Sequence, residues 1–115
     1  MNALERLGLE VVAFTLLGSR AQAALLLVLV EGNGRQVSID KLAEARIWRK
    51  SDDDGPSRKG LMVRMCVLRS SLADLGFPGV IKTVGNETVM CPATGYSLPE
   101  PGRSSVLARL IEEAG

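Results

Sequence analysis

Apolar positions recur at helical spacing over much of this chain, and the clearest case lies in its middle. Leu61, Met65, Leu68, Leu72 and Leu75 stand at i, i+4, i+7, i+11 and i+14, which makes one apolar stripe at the helical period. Pro56 and Ser57 precede it as a start signal. Gly76 follows as a stop, because the residue just past a helix end often needs φ > 0. The pattern predicts a helix over 58–75. At about 100° per residue, Lys59, Val63, Cys66, Val67 and Ser70 point away from the stripe, with Arg64 and Arg69 flanking it on either side.

Leu4, Leu7, Val11 and Phe14 also stand at helical spacing, which favours an amphipathic helix near the start of the chain. Val11, Val12, Phe14 and Thr15 are strand formers, however, so the expectation is a helix first and then a strand or loop over 11–16. Gly18 breaks that element. Ser19-Arg20-Ala21-Gln22 is a capping-box pattern, in which the Ser hydroxyl accepts a free N–H and Gln22 reaches back. It opens a helix over 20–31 that is apolar nearly all round and therefore belongs in the middle of the domain. Gly32-Asn33-Gly34 ends it in a turn. Ser38 is a good N-cap and Asp40 suits the positive end of the helix dipole, so another helix is expected to begin at Val37-Ser38 and run through Leu42 to Trp48 and Arg49.

Ser51-Asp52-Asp53-Asp54-Gly55-Pro56 reads as a solvated acidic loop. A calcium loop is the weaker alternative, since the EF-hand spacing and closing Glu are absent. Beyond the central helix, Gly76-Phe77-Pro78-Gly79 turns the chain into a strand over 80–84. A second strand is expected over 88–91 and a closing one over 96–98. Pro99 and Pro101 end the compact fold. Ser104 or Ser105 then caps a short helix over 106–113, which must dock on this chain or on another copy to be stable.

The 115 residues suffice for one domain with a modest core, and with aromatics at 3 % that core is built from Leu, Val, Ile and Ala. Expected boundaries are an N-terminal segment over 1–18 as a possible dimerisation element, the main domain over 19–98, and a tail with a short helix over 99–115. The net charge of +1 argues against a wholesale polyanion binder, but charge is unevenly placed: over 57–82, Arg58, Lys59, Arg64, Arg69 and Lys82 face a single acid, Asp74. A helix buried on one side and cationic at its start and flanks has the form of a major-groove reading helix. The bland alternative is an amphipathic helix with a solvated face.

The absence of His removes every His-dependent metal site, triad or proton shuttle. There is no Gly-rich phosphate loop and no carboxylate pair in an apolar setting, so no enzyme, metal or cofactor is expected. Cys66 and Cys91 lack C-x-x-C spacing. Thiols in a cytoplasmic protein are the default, and a disulfide stays open. The apolar run over 21–30 is too short to span a bilayer, and Glu5 and Glu10 oppose a secretory signal, so no membrane partner is expected.

Three helices followed by a β-hairpin is the winged-helix plan: α+β, a three-helix helix-turn-helix core with a C-terminal wing. Val37-Ser38 opening a helix that closes at Ile47-Trp48, Leu61 to Leu72 read against "V-x-V-x-I-x-x-L-R-x-K-L", Ile81-Lys82-Thr83-Val84 against "I-x-T-V", and Gly95-Tyr96-Ser97-Leu98 against "G-Y-x-L" together resemble the DNA-binding domain of OmpR/PhoB-type response-regulator effectors. The resemblance covers 19–98. It implies a standalone regulator of the kind phages and prophages carry, without a receiver domain. The family's N-terminal sheet does not fit before Ser19. Ten residues separate Thr83-Val84 from Gly95-Tyr96 where the family has about three, and Thr88-Val89 is an alternative match that would shift the wing register.

The resemblance places Arg58, Lys59, Met62, Val63, Arg64, Cys66, Val67, Arg69 and Ser70 of the central helix, and Lys82, Asn86 and Thr94 of the wing, at DNA. The family's outward Arg or Lys positions hold Cys66, Val67 and Ser70 here. Val and Cys can touch a thymine methyl and Ser can reach either kind of base edge, but none makes the bidentate contact to guanine. Arg58, Lys59, Arg64 and Arg69 remain for phosphates, which position without reading sequence. Arg69 can instead form a salt bridge or pack its stem on the core, and Arg64 can snorkel beside the stripe. Ser38 and Lys41 open a helix whose N-terminus can meet a phosphate. Trp48 and Tyr96 read as core, and Cys66 is a remote candidate redox sensor.

The expected partners are double-stranded DNA and a second copy of the chain, engaged through the N-terminal segment or the C-terminal helix. The competing function is a protein–protein adaptor or antirepressor, using Met62, Val63, Cys66 and Val67 as an apolar patch.

Overall fold

The computed structural model describes residues 2–44, 58–85 and 94–114. Among these are five helices and a three-stranded antiparallel sheet, an α+β arrangement. Helix α1 is Ala3–Leu17 and α2 is Arg20–Glu31. A two-residue strand β1, Val37–Ser38, leads into α3, Ile39–Glu44. Then come α4 (Arg58–Asp74), β2 (Lys82–Val84), β3 (Gly95–Ser97) and α5 (Gly102–Ala114).

Helix α1 is one unbroken helix, which corrects the expected strand or loop over 11–16. The Asn2 side chain accepts from the N–H of Glu5 at 2.8 Å, and Gly18 closes the far end at φ 75° by donating to the Phe14 carbonyl at 2.8 Å. With both ends capped and Leu9, Val12, Ala13, Leu16 and Leu17 packed on the core, tertiary contact outweighs the modest strand preference of Val11, Val12 and Thr15.

Helix α2 has the predicted bounds and the predicted central place: Ala23, Ala24, Leu25, Leu26, Leu27, Leu29 and Val30 are all buried. Ser19 accepts from the Gln22 N–H at 3.3 Å, as a capping box requires. The reciprocal half is not made, and the buried Oε1 of Gln22 has no hydrogen-bond partner. At the other end the Arg103 Nε–H of α5 donates to the Val30 carbonyl at 2.7 Å, so a residue far along the chain satisfies the end of α2.

Val37–Ser38 forms a strand, where a helix start was expected. The Ser38 hydroxyl still caps α3, accepting from the Lys41 N–H at 3.2 Å. The expected continuation to Trp48 and Arg49 and the acidic loop over 51–56 lie outside the described residues.

In α4, Leu61, Met65, Leu68 and Leu72 are buried as the stripe predicts, and Leu75 is half-buried just past the helix end. Gly76 stands at φ 98°, donating to the Ala73 carbonyl at 3.0 Å while the Phe77 N–H reaches the Leu72 carbonyl at 2.8 Å. These are the two bonds of a Schellman stop.

Strand β3 is central, with order β1-β3-β2. Thr83 pairs with Tyr96 and Val84 with Gly95, while β1 pairs Val37 with Tyr96 on the other side. This register sets Thr83-Val84 against Gly95-Tyr96 and leaves the full ten-residue connection between them. The strand expected over 88–91 lies outside the described residues. The compact fold does not end at Pro99: α5 begins at Gly102, and Val106 and Leu110 are buried in the same core as α1 and α2. Ser104 and Ser105 sit inside the first turn of α5 and do not cap it. Ser104 instead donates its hydroxyl to the Glu100 carboxylate, which holds that exposed acid below the ordinary carboxylate range.

Candidate nucleic-acid interface

Helix α4 is anchored on one side and open on the other. Its buried stripe fixes the rotation of the helix, and that rotation exposes Val63, Cys66, Val67 and Ser70 together. Val63 is 57 % exposed and Val67 46 %. Met62, read as outward, is half-buried, so it rims this face and does not belong to its centre. The side chains of Arg58 and Lys59, and all of Asn86, lie outside the described residues.

Arg69 turns inward. Its guanidinium donates to the Thr83 hydroxyl of β2 and stands over the Tyr96 ring of β3 at 5.3 Å from the centroid. Of its alternative roles, this is nearest the packed stem: a clip between α4 and the sheet. Thr83 and Tyr96 are register partners on adjacent strands, so one guanidinium touches both. The Thr83 component was not legible in the sequence, because it depends on hairpin register. Arg64 is half-buried beside the stripe, and its Nε is out of solvent, whereas a snorkelling side chain would keep its guanidinium in water.

Lys82 is exposed, but it is next to Thr83 on β2 and therefore projects from the opposite face of the sheet. It lines a shallow groove of about 330 Å³ with the 76–80 turn and residues 99–102. The structure thus places Lys82 near the C-terminal end of α4 and apart from the exposed Val63 and Val67. Thr94 is exposed at the base of the hairpin connection. It donates its N–H to the Val84 carbonyl at 2.9 Å and its hydroxyl to the same oxygen at 3.2 Å. Its carbonyl accepts from the Ile39 N–H at 3.2 Å, tying the hairpin to the start of α3.

Lys41 is exposed in α3, and Ser38 is committed to the cap. Tyr96 is buried, as expected of core. The Cys66 thiol is on the exposed face. Among the described residues no group of three or more His, Cys, Asp or Glu is placed to hold a metal ion, and no helix is long and apolar enough to cross a membrane. Compared with family models, curated proteins and solved structures, the chain matches none.

Proposed function

We propose that this chain is a small regulator that binds double-stranded DNA through a winged-helix domain, with α4 in the major groove and the β2–β3 hairpin as the wing. The observation that carries the reading is the exposed face of α4. It is a row of small side chains on a 17-residue helix whose other side is locked into the core. A major groove about 12 Å wide admits such a helix. The order helix, strand, helix, helix, hairpin, with the short β1 closing on β3, supports the winged-helix plan.

In this reading Val63, Cys66 and Val67 meet thymine methyls and Ser70 meets a base edge. Arg58, Lys59, Arg64, Lys82, Asn86 and Thr94 serve the phosphates or the adjacent minor groove. Arg69 acts indirectly, by holding α4 at a fixed angle to the hairpin.

The experiment is fluorescence anisotropy of a generic labelled duplex across a salt series. Contacts to three to five phosphates give a log–log slope of about −3 to −4.5. Val67→Glu and Ser70→Glu, both at exposed positions, bring negative charge to the groove and should abolish binding. Lys82→Ala should flatten the slope by about 1. Exposed Val63 and Val67 favour a second reading, an adaptor or antirepressor that uses this face for a protein. Absence of duplex binding even at low salt excludes the DNA reading and selects that one.

A further inference from the structure

We propose that the outward face of α1 binds a second copy of this chain, with the two α1 helices antiparallel across a two-fold axis at the level of Leu9. Helix α1 is apolar on two opposite sides. Leu9, Val12, Ala13, Leu16 and Leu17 face the core, whereas Leu4, Leu7, Val11 and Phe14 lie on the other side and are 79 %, 59 %, 59 % and 41 % exposed. These four side chains present roughly 400 Å² of contiguous apolar surface, within the size range of functional patches on small proteins. Helix formation does not require it, because polar residues at these positions would form the same helix.

Three features select a second copy as the occupant. First, the spacing 3-4-3 is that of the a and d positions of a coiled-coil seam, and it reads the same in both directions. Reversed about Leu9, Leu4 meets Phe14 and Leu7 meets Val11, each pair occurring twice, as a two-fold interface demands. Second, a groove of about 420 Å³ runs beside the stripe, lined by Leu7, Glu10, Val11, Phe14, Arg20 and Ala23. It contains one acid and one base, with the Arg20 guanidinium 5.6 Å from the Phe14 ring centroid. The groove rim is therefore neutral overall, so two copies meeting along it bring no net charge together. Arg6 is already paired with Glu31 and lies 4.0 Å from Glu10, which leaves Arg20 as a single base on this rim and no cluster of basic side chains of the kind an anionic lipid surface would select. Third, the stripe and its rim from two copies amount to roughly 1,000 Å², near the lower limit for a specific interface, which fits a reversible dimer of micromolar affinity.

The assignment uses no residue of the exposed α4 face, and its test contains no nucleic acid, so it stands or falls separately from the DNA reading. Sedimentation velocity from about 1 to about 200 µM should show the wild-type chain passing from monomer to dimer. The Leu7→Glu/Val11→Glu variant should remain monomeric, with an unchanged far-ultraviolet circular-dichroism spectrum because both positions are exposed. Direction is read by mixing Leu7→Cys chains with Val11→Cys chains, both in a Cys66→Ser/Cys91→Ser background. The antiparallel pairing yields the mixed disulfide in preference to either homodimer. A wild-type chain that stays monomeric throughout, a double variant that still dimerises, or preferential Leu7→Cys homodimers would each overturn the proposal.

Discussion

At the residue scale the most consequential side chain is Arg69. Its charge suggests a phosphate contact, yet its guanidinium bonds Thr83 and covers the Tyr96 ring. A hydrogen bond to a charged donor and a partly desolvated cation–π contact together are worth about 2 kcal/mol. Arg69→Ala should therefore lower unfolding stability by about 2 kcal/mol in urea denaturation. Thr83→Val tests the coupling: in a double-mutant cycle with Arg69→Ala, the two should couple by about 0.5–1 kcal/mol. Additive effects would mean that the contact contributes nothing to stability. The sequence placed Arg69 beside the stripe and left its role open, because its partners are 14 and 27 positions further on and are set by strand register.

At the scale of elements, the small sheet depends on Gly95. It lies on the central strand with β1 on one side and β2 on the other, and a Cβ there would stand 2.6 Å from the Val37 carbonyl oxygen. The backbone must part to admit it. Gly95→Ala should cost about 2–3 kcal/mol and weaken the β1–β3 pairing, seen as faster amide exchange at Tyr96. If stability and exchange are unchanged, β1 contributes nothing to the fold. The strand β1 escaped the sequence reading for a plain reason. Two residues cannot display a period of two, and Ser38 signals a helix cap, which it also is. Helix α4, by contrast, was readable nearly to the residue, because five apolar positions repeat over four turns and a glycine marks the stop.

At the scale of the molecule, one core draws on all five helices and the sheet, including Ala13 of α1 and Val106 and Leu110 of α5. Removing α5 by a stop codon after Pro101 strips two large apolar side chains from the core and the Arg103 cap from Val30. Burial of two such groups contributes about 3–6 kcal/mol, a large part of the about 5–15 kcal/mol that a domain possesses. The truncated chain should lose its cooperative thermal transition, monitored by circular dichroism. A transition retained within a few degrees of the full chain would make α5 an appendage, as the sequence suggested when it ended the compact fold at Pro99.

The sequence alone determined where most helices run, that α2 is buried nearly all round, and which side of α4 faces the core. Those are local matters: capping groups, glycine stops and apolar spacing act within a few residues of one another. The candidate DNA face of α4 was legible for the same reason, since fixing the buried stripe of a helix also fixes its opposite face. Only the tertiary structure decided that α1 continues through its strand-forming residues and turns Leu4, Leu7, Val11 and Phe14 outward. It alone decided that Arg69 clips α4 to the sheet, that β1 joins β3, and that α5 completes the core. Each of these depends on which distant surfaces meet. A helix with two apolar faces, an arginine with two possible partners and a strand of two residues carry no local signal that ranks the alternatives. The choice falls to the packing that buries the most apolar area while leaving few buried polar groups without a partner.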